Sequence, residues 1–168
     1  MAVSRAVSAE IMREELELMK DLAKTYGWEV TPDYEVLAVT VVMHSHKKED
    51  GTRDKYIVEA QCENYKEHPP LFEFIDPITG ARGVPSAYPK GKDSLFHSSG
   101  PCICAPFNRK AYKTLFETGP HAEWELGSWM TSTANNFNFW SNYTMLGDMF
   151  GLIQLRIIRP DHYQGRMG

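Results

Sequence analysis

The chain has 168 residues and a net charge of −4, with 42% hydrophobic and 24% charged residues. Those proportions belong to one globular domain with its own core. They exclude a disordered chain, and the absence of any Lys/Arg block argues against a nucleic-acid surface. Three cysteines, an odd number, argue against a disulfide framework and fit a reducing cytoplasm.

The first element is a helix. Ser8 is placed to cap it, and Ile11, Met12, Leu16, Met19, Leu22, Ala23 and Tyr26 recur at the helical period until Gly27 supplies the stop. Lys20 and Lys24 stand near its C-terminal end, where the helix dipole favours cations. Residues 34–46 turn rich in Val, Thr and Leu and predict a strand. Their most apolar stretch, 36–43, is far too short to span a bilayer, and residues 1–10 lack the apolar core of a secretory signal.

Asp50-Gly51 marks a hairpin turn. In the next strand Tyr56, Val58, Ala60 and Cys62 share one face, and Glu59, Gln61 and Glu63 the other. Pro69 and Pro70 cannot donate to a ladder and interrupt pairing, after which residues 71–75 form a further strand. Residues 76–92 read as a long surface loop of Gly/Pro turns, of the kind that often carries function. Residues 96–108 are also irregular. A short helix is predicted within 109–116, ended by Gly119-Pro120, and a second within 141–159, stopping before Pro160. The order, a helix followed by an antiparallel meander, points to an α+β fold in a single domain over 1–168.

Chemistry concentrates in the cysteines. Cys62 alternates with Val58 and Ala60 and reads as a small core residue. Cys102 and Cys104 lie among Gly, Pro and Ser, close to His97, where a thiol can be exposed and nucleophilic; the competing reading is a pair of simple buried cysteines. A metal site built from Cys102, Cys104, His97 and His121 has the wrong spacing, because structural zinc pairs its cysteines two to four residues apart. His44 and His46 read as a solvated hairpin tip. Trp124, Trp129, Phe137, Phe139, Trp140 and Tyr143 read as an aromatic anchor for the C-terminal half. No phosphate-cradling glycine motif and no serine nucleophile elbow is present.

Residues 65–74 resemble the ubiquitin-conjugating enzyme family, whose pattern is Tyr-Pro-x-x-Pro-Pro-x-hydrophobic-x-Phe. Tyr65, Pro69, Pro70, Phe72 and Phe74 match in register, while Lys66 stands where the family has its first proline. Within that resemblance, His97-Ser98-Ser99 takes the place of the His-Pro-Asn flap, and Gly100-Pro101-Cys102-Ile103-Cys104 that of Gly-x-Ile-Cys-Leu. The resemblance covers residues 8–104 and, more loosely, the helices beyond. It implies a four-stranded antiparallel meander with an N-terminal helix and C-terminal helices. It also implies a cysteine that carries an acyl group as a thioester, needing neither metal nor organic cofactor. Cys102 lies nearer Gly100 and His97 and is slightly preferred as nucleophile, with Cys104 as a neighbour able to resolve the thioester or form a labile disulfide. His97 would shape the flap, with Ser98, Ser99 and Gly100 around it. Tyr65, Pro69 and Pro70 would only position the end of the strand.

The loop before the cysteines is longer than in eukaryotic members, and the flap lacks the asparagine that supports the oxyanion. Loss of one such donor costs about 10²–10³ in rate. Either Ser98, Ser99 or a backbone N–H substitutes, or the enzyme forms thioesters well and isopeptide bonds poorly. The divergent pattern most resembles bacterial conjugating-enzyme-like proteins of anti-phage (CBASS) operons that sit beside cGAS-like nucleotidyltransferases. That implies a partner protein whose C-terminal glycine is linked to the cysteine, with or without an activating enzyme. Two other readings stay open: a catalytically silent binding module of the same fold, and a Cys-x-Cys redox or metal protein.

Overall fold

The computed structural model describes residues 2–131 and 138–168. Helix α1 (Arg5–Leu18) is capped by Ser4, whose hydroxyl accepts a hydrogen bond from Val7 N at 3.3 Å. The cap is therefore not Ser8. That residue lies inside the helix and is fully buried, and its Oγ donates to the Tyr65 carbonyl at 3.0 Å. The single predicted helix is also two: α1 stops before Met19, and α2 (Lys20–Tyr26) continues to Gly27. Gly27 takes the left-handed conformation, and the Trp28 N–H returns to Ala23 O, so the C-terminal carbonyls are satisfied.

Four antiparallel strands follow in the order β1 (Glu29–Asp33), β2 (Ala38–His44), β3 (Lys55–Gln61) and β4 (Leu71–Ile75). The predicted strand over 34–46 is β2 alone. Residues 34–37 turn, with Asp33 Oδ1 accepting from Glu35 N at 3.0 Å, and β1 lies before them at the sheet edge with Pro32 inside it. Register aligns Val39, Ala60 and Phe72, then Val41, Val58 and Phe74, on one face, each with no exposed surface. The alternation along β3 is the one predicted for Tyr56, Val58, Ala60 and Cys62.

Helix α3 (Leu146–Ile158) covers that face. Phe150 meets Phe72 edge-on at 5.1 Å, and Met149, Ile153 and Ile157 are fully buried beside it. Each such side chain contributes roughly 1.5–3 kcal/mol on leaving water. α3 ends before Pro160, as predicted. Its glycines 147 and 151 face the N-terminal helices, where a Cβ would make ordinary contact, 3.5 Å from Met19 at Gly147 and 3.4 Å from Leu22 at Gly151. Glu15 joins the same elements. Its buried carboxylate accepts from the Tyr65 hydroxyl at 2.7 Å and from Leu146 N at 2.8 Å, and pairs with Lys66 Nζ at 2.5 Å.

The long loop after β4 is pinned at both ends. Asp76 Oδ1 accepts from Ile78 N and Thr79 N, and its Oδ2 from Ser86 Oγ at 2.5 Å. The loop then enters β5 (Pro89–Gly91), which pairs with the terminal strand β8 (Tyr163–Arg166). A two-stranded hairpin, β6 (Phe96–His97) and β7 (Cys102–Ile103), comes next. The predicted helix over 109–116 is reduced to one 3₁₀ turn, Arg109–Ala111. His44 and His46 are half-buried rather than at a free tip, with His46 N donating to Ile157 O and His44 O accepting from Gln154. Among the described residues the architecture is α+β with a four-stranded antiparallel sheet, and no helix is long and apolar enough to cross a membrane.

Candidate active site

The β6–β7 hairpin sets Cys102 directly opposite His97. Its turn holds exposed Ser98 and Ser99 and closes on Gly100, whose φ of 74° suits a residue without a side chain. His97 Nδ1 lies 2.8 Å from Ser99 O, so the ring braces this turn. A Cβ on Gly100 would sit 3.2 Å from Thr118 Cβ, so the hairpin packs against the loop 112–121.

Cys102 faces inward. It is 1% exposed, its thiol donates to its neighbour Ile103 O at 3.4 Å, and Asn108 Nδ2 approaches Sγ at 3.8 Å. Burial, reinforced by Cys104, pushes this thiol up to about 12. Cys62 is fully buried and likewise pushed up to about 12, first by burial and then by Glu15, as suits a core residue. The sequence preference for Cys102 over Cys104 therefore runs against the geometry: a sealed, protonated sulfur is not presented to a substrate.

Asn108, which sequence reasoning passed over, explains why Cys102 is held there. Its side chain is fully buried, accepts from Phe72 N at 2.9 Å and from Lys110 N at 3.2 Å, and donates to Ile103 O at 2.8 Å. It staples β4 to β7 and to the turn that follows. Such an amide has no hydrogen bond left for a reacting carbonyl.

Cys104 is the half-exposed thiol. Its N–H donates to Leu95 O at 2.6 Å, which fixes its backbone and removes that N–H from any oxyanion role. Its Sγ lies 2.8 Å from His121 Nε2, and His121 Nδ1 lies 2.7 Å from Glu123 Oε1. With Nδ1–H donating to the carboxylate, Nε2 is left as an acceptor aimed at the thiol. Burial, followed by the negative charges of Glu123 and Asp93, pushes the Cys104 thiol up to about 11. A thiol so raised is neutral at pH 7 and needs a base to become a nucleophile, and His121 stands where that base is required.

Local chain geometry aims the ring. His121 N donates to Ala111 O, and Lys113 N donates to His121 O, so its backbone is paired on both sides. The loop reaches this position by passing Gly119 against the 112–113 peptide, where a Cβ would stand 2.7 Å from Tyr112 C and Lys113 N. The imidazole lies flat on the Trp124 indole, with centroids 3.5 Å apart and planes 5° off parallel.

Of the aromatic cluster, Trp124 thus serves the site. Trp129 stacks on Tyr65, Trp140 and Tyr143 pack near Phe107, and Phe137 and the side chain of Phe139 lie outside the described residues. Sequence reasoning named His121 only as a metal ligand and did not name Glu123. The one local signal was the His-x-Glu spacing, which lets a carboxylate two residues on reach the ring. No hydrogen bond joins His97 to either thiol, and no group of three or more His, Cys, Asp or Glu is placed to hold one metal ion, among the described residues.

Compared with known proteins, the chain matches no family model, no curated protein and no solved structure. What bears on function is the geometry of Cys104, His121 and Glu123.

Proposed function

We propose that the chain is a cysteine-dependent acyltransferase of the ubiquitin-conjugating-like kind, with Cys104 as the nucleophile. The observation that carries this reading is the run of contacts from Cys104 Sγ to His121 Nε2 and from His121 Nδ1 to Glu123. His121 takes the thiol proton, and the thiolate attacks the activated C-terminal carbonyl of a partner protein. The bond to the activating group breaks, and the acyl chain remains on Cys104 as a thioester, to be passed to an amine or another thiol. Glu123 holds the ring in the tautomer that accepts and offsets the imidazolium charge.

Three features support the UBC-like assignment: a helix followed by a four-stranded meander ahead of the cysteine loop, the Pro69-Pro70 turn into β4, and Tyr65 buried behind it. Within that reading His97, Ser98, Ser99 and Gly100 shape the flap, and Cys102 is a packing residue. The partner is a protein with a C-terminal glycine, for which a cGAS-like nucleotidyltransferase of a bacterial anti-phage operon is the proposed identity, and the setting is the cytoplasm.

Intact mass of the protein purified from its native host without reductant tests this. A protein-sized adduct released by thiol is expected, converted to a thiol-resistant ester by Cys104→Ser and still thiol-labile in Cys102→Ala. Adducts in none of the three forms overturn the reading in favour of a silent binding module. A bound metal, or a thiol count that changes with oxidant without any protein adduct, favours the redox or metal reading.

A further inference from the structure

We infer that Cys104 draws its acyl group from an amide, so that the chain cuts a peptide or isopeptide bond and uses the released acyl fragment. This rests on the reading of Cys104 as an acyl carrier and replaces its activated donor with an amide. Exchange of an acyl group between two sulfurs expels a thiolate, which departs at neutral pH without receiving a proton. An amine cannot depart as an anion and must be protonated as its bond to carbon breaks. A site that only exchanged thioesters would use His121 as a base alone, to take the Cys104 proton; a site that expels an amine needs the same ring to hand that proton on to the leaving nitrogen. His121 is fixed where it can do both.

The arrangement is more than a packing contact. Backbone pairing with Ala111 and Lys113 already closes the His121 loop, and the bond to Leu95 O already holds Cys104. Each segment is thus held by its own backbone bonds, and the contact between Sγ and Nε2 joins two separately fixed groups. What it adds is a path for a proton, with the ring oriented by Glu123 on one nitrogen and by the flat Trp124 face beneath.

The steps balance. The Sγ–H proton moves to His121 Nε2 as the S–C bond forms and the carbonyl π pair shifts to oxygen. That pair returns, the C–N bond breaks, and the Nε2 proton goes to the departing nitrogen. A free amine leaves, and acyl-Cys104 remains. Water or a second amine then attacks the thioester carbonyl and gives its proton to His121, and the sulfur leaves and takes that proton back. The net change is amide hydrolysis, or exchange of one amide for another, and no oxidant or reductant is consumed.

The full chain is offered two pools. One is a peptide library in which every pair of amino acids flanks an amide, read by mass spectrometry for new termini. The other is a matched set of C-terminal peptide thioesters, read by intact mass as acyl-Cys104. Cleavage of the library is expected, abolished by Cys104→Ser and lowered about 10²–10⁴-fold by His121→Gln. Alkaline pH should restore thioester acylation of His121→Gln, because hydroxide then removes the thiol proton. It should not restore amide cleavage, which still lacks its proton donor. Glu123→Gln, a positioning change, should displace the pH–rate profile of cleavage. Thioester acylation with no cut peptide overturns the inference and leaves the proposed function standing. Failure of both pools removes the proposed function as well.

Discussion

At the scale of single residues, Asp76 shows how a turn sets the behaviour of one carboxylate. The Ser86 hydroxyl, then the Thr79 and Ile78 amides, hold its pKa down to about 2, below the ordinary 3.8. Because the folded value is the lower one, the ionised form stabilises the loop fully above 3.8, and that stabilisation is lost as pH falls through 3.8 toward 2. The amide resonances of Ile78 and Thr79 should shift with a midpoint near 2, and Asp76→Asn should remove the transition; a midpoint near 3.8 would show that these bonds do not form in solution. Local chemistry of this kind is readable in sequence, since Asp-Pro-x-Thr-Gly is a turn by composition. Ser8 is the opposite case. Its hydroxyl finds Tyr65 O across 57 positions, and no nearby residue announces that bond. Glu123 was missed for a related reason: its role depends on a cysteine 19 positions earlier, which only the fold brings within reach.

Among elements, the loop 112–121 is the one on which the proposed chemistry turns. Gly119→Ala places a methyl 2.7 Å from backbone atoms that cannot swing aside, so the loop must move and His121, two residues on, moves with it. Overpacking of this kind costs about 1–3 kcal/mol. A displacement near 1 Å at a catalytic group costs up to about 10²-fold in rate. The prediction is a loss of Cys104 acylation larger than the loss of stability explains, measured by acylation kinetics beside urea unfolding. Unchanged kinetics in a destabilised variant would detach the loop from the site. Periodicity located β2, β3, β4 and α3 because each buries one continuous face. It missed β1, where Pro32 and charged residues mask an edge strand, and it overextended the turn at Arg109–Ala111, which is held by Asn108 and not by a helical stripe.

For the molecule as a whole, Glu15 binds the first helix to the last, across 131 positions. Glu15→Ala would strand the Leu146 N–H in the core, leave the Tyr65 hydroxyl only the Thr144 carbonyl and leave Lys66 without its ion-pair partner, a loss of about 3–5 kcal/mol. Urea unfolding should report it, and hydrogen exchange should quicken first at the start of α3. A near-neutral change would mean that helix packing alone sets the α1–α3 geometry. The sheet beneath these helices also has two edges, and neither lies open along its length. At β1, Pro32 has no N–H to donate. At β4, Phe72 N is taken by Asn108, Phe74 O by Gly83 N, and Ile75 by a bridge to Arg82. A visiting chain that sought to add itself as a fifth strand would find those places occupied, which guards the protein against edge-to-edge aggregation and leaves side chains, not backbone pairing, to hold whatever it grips.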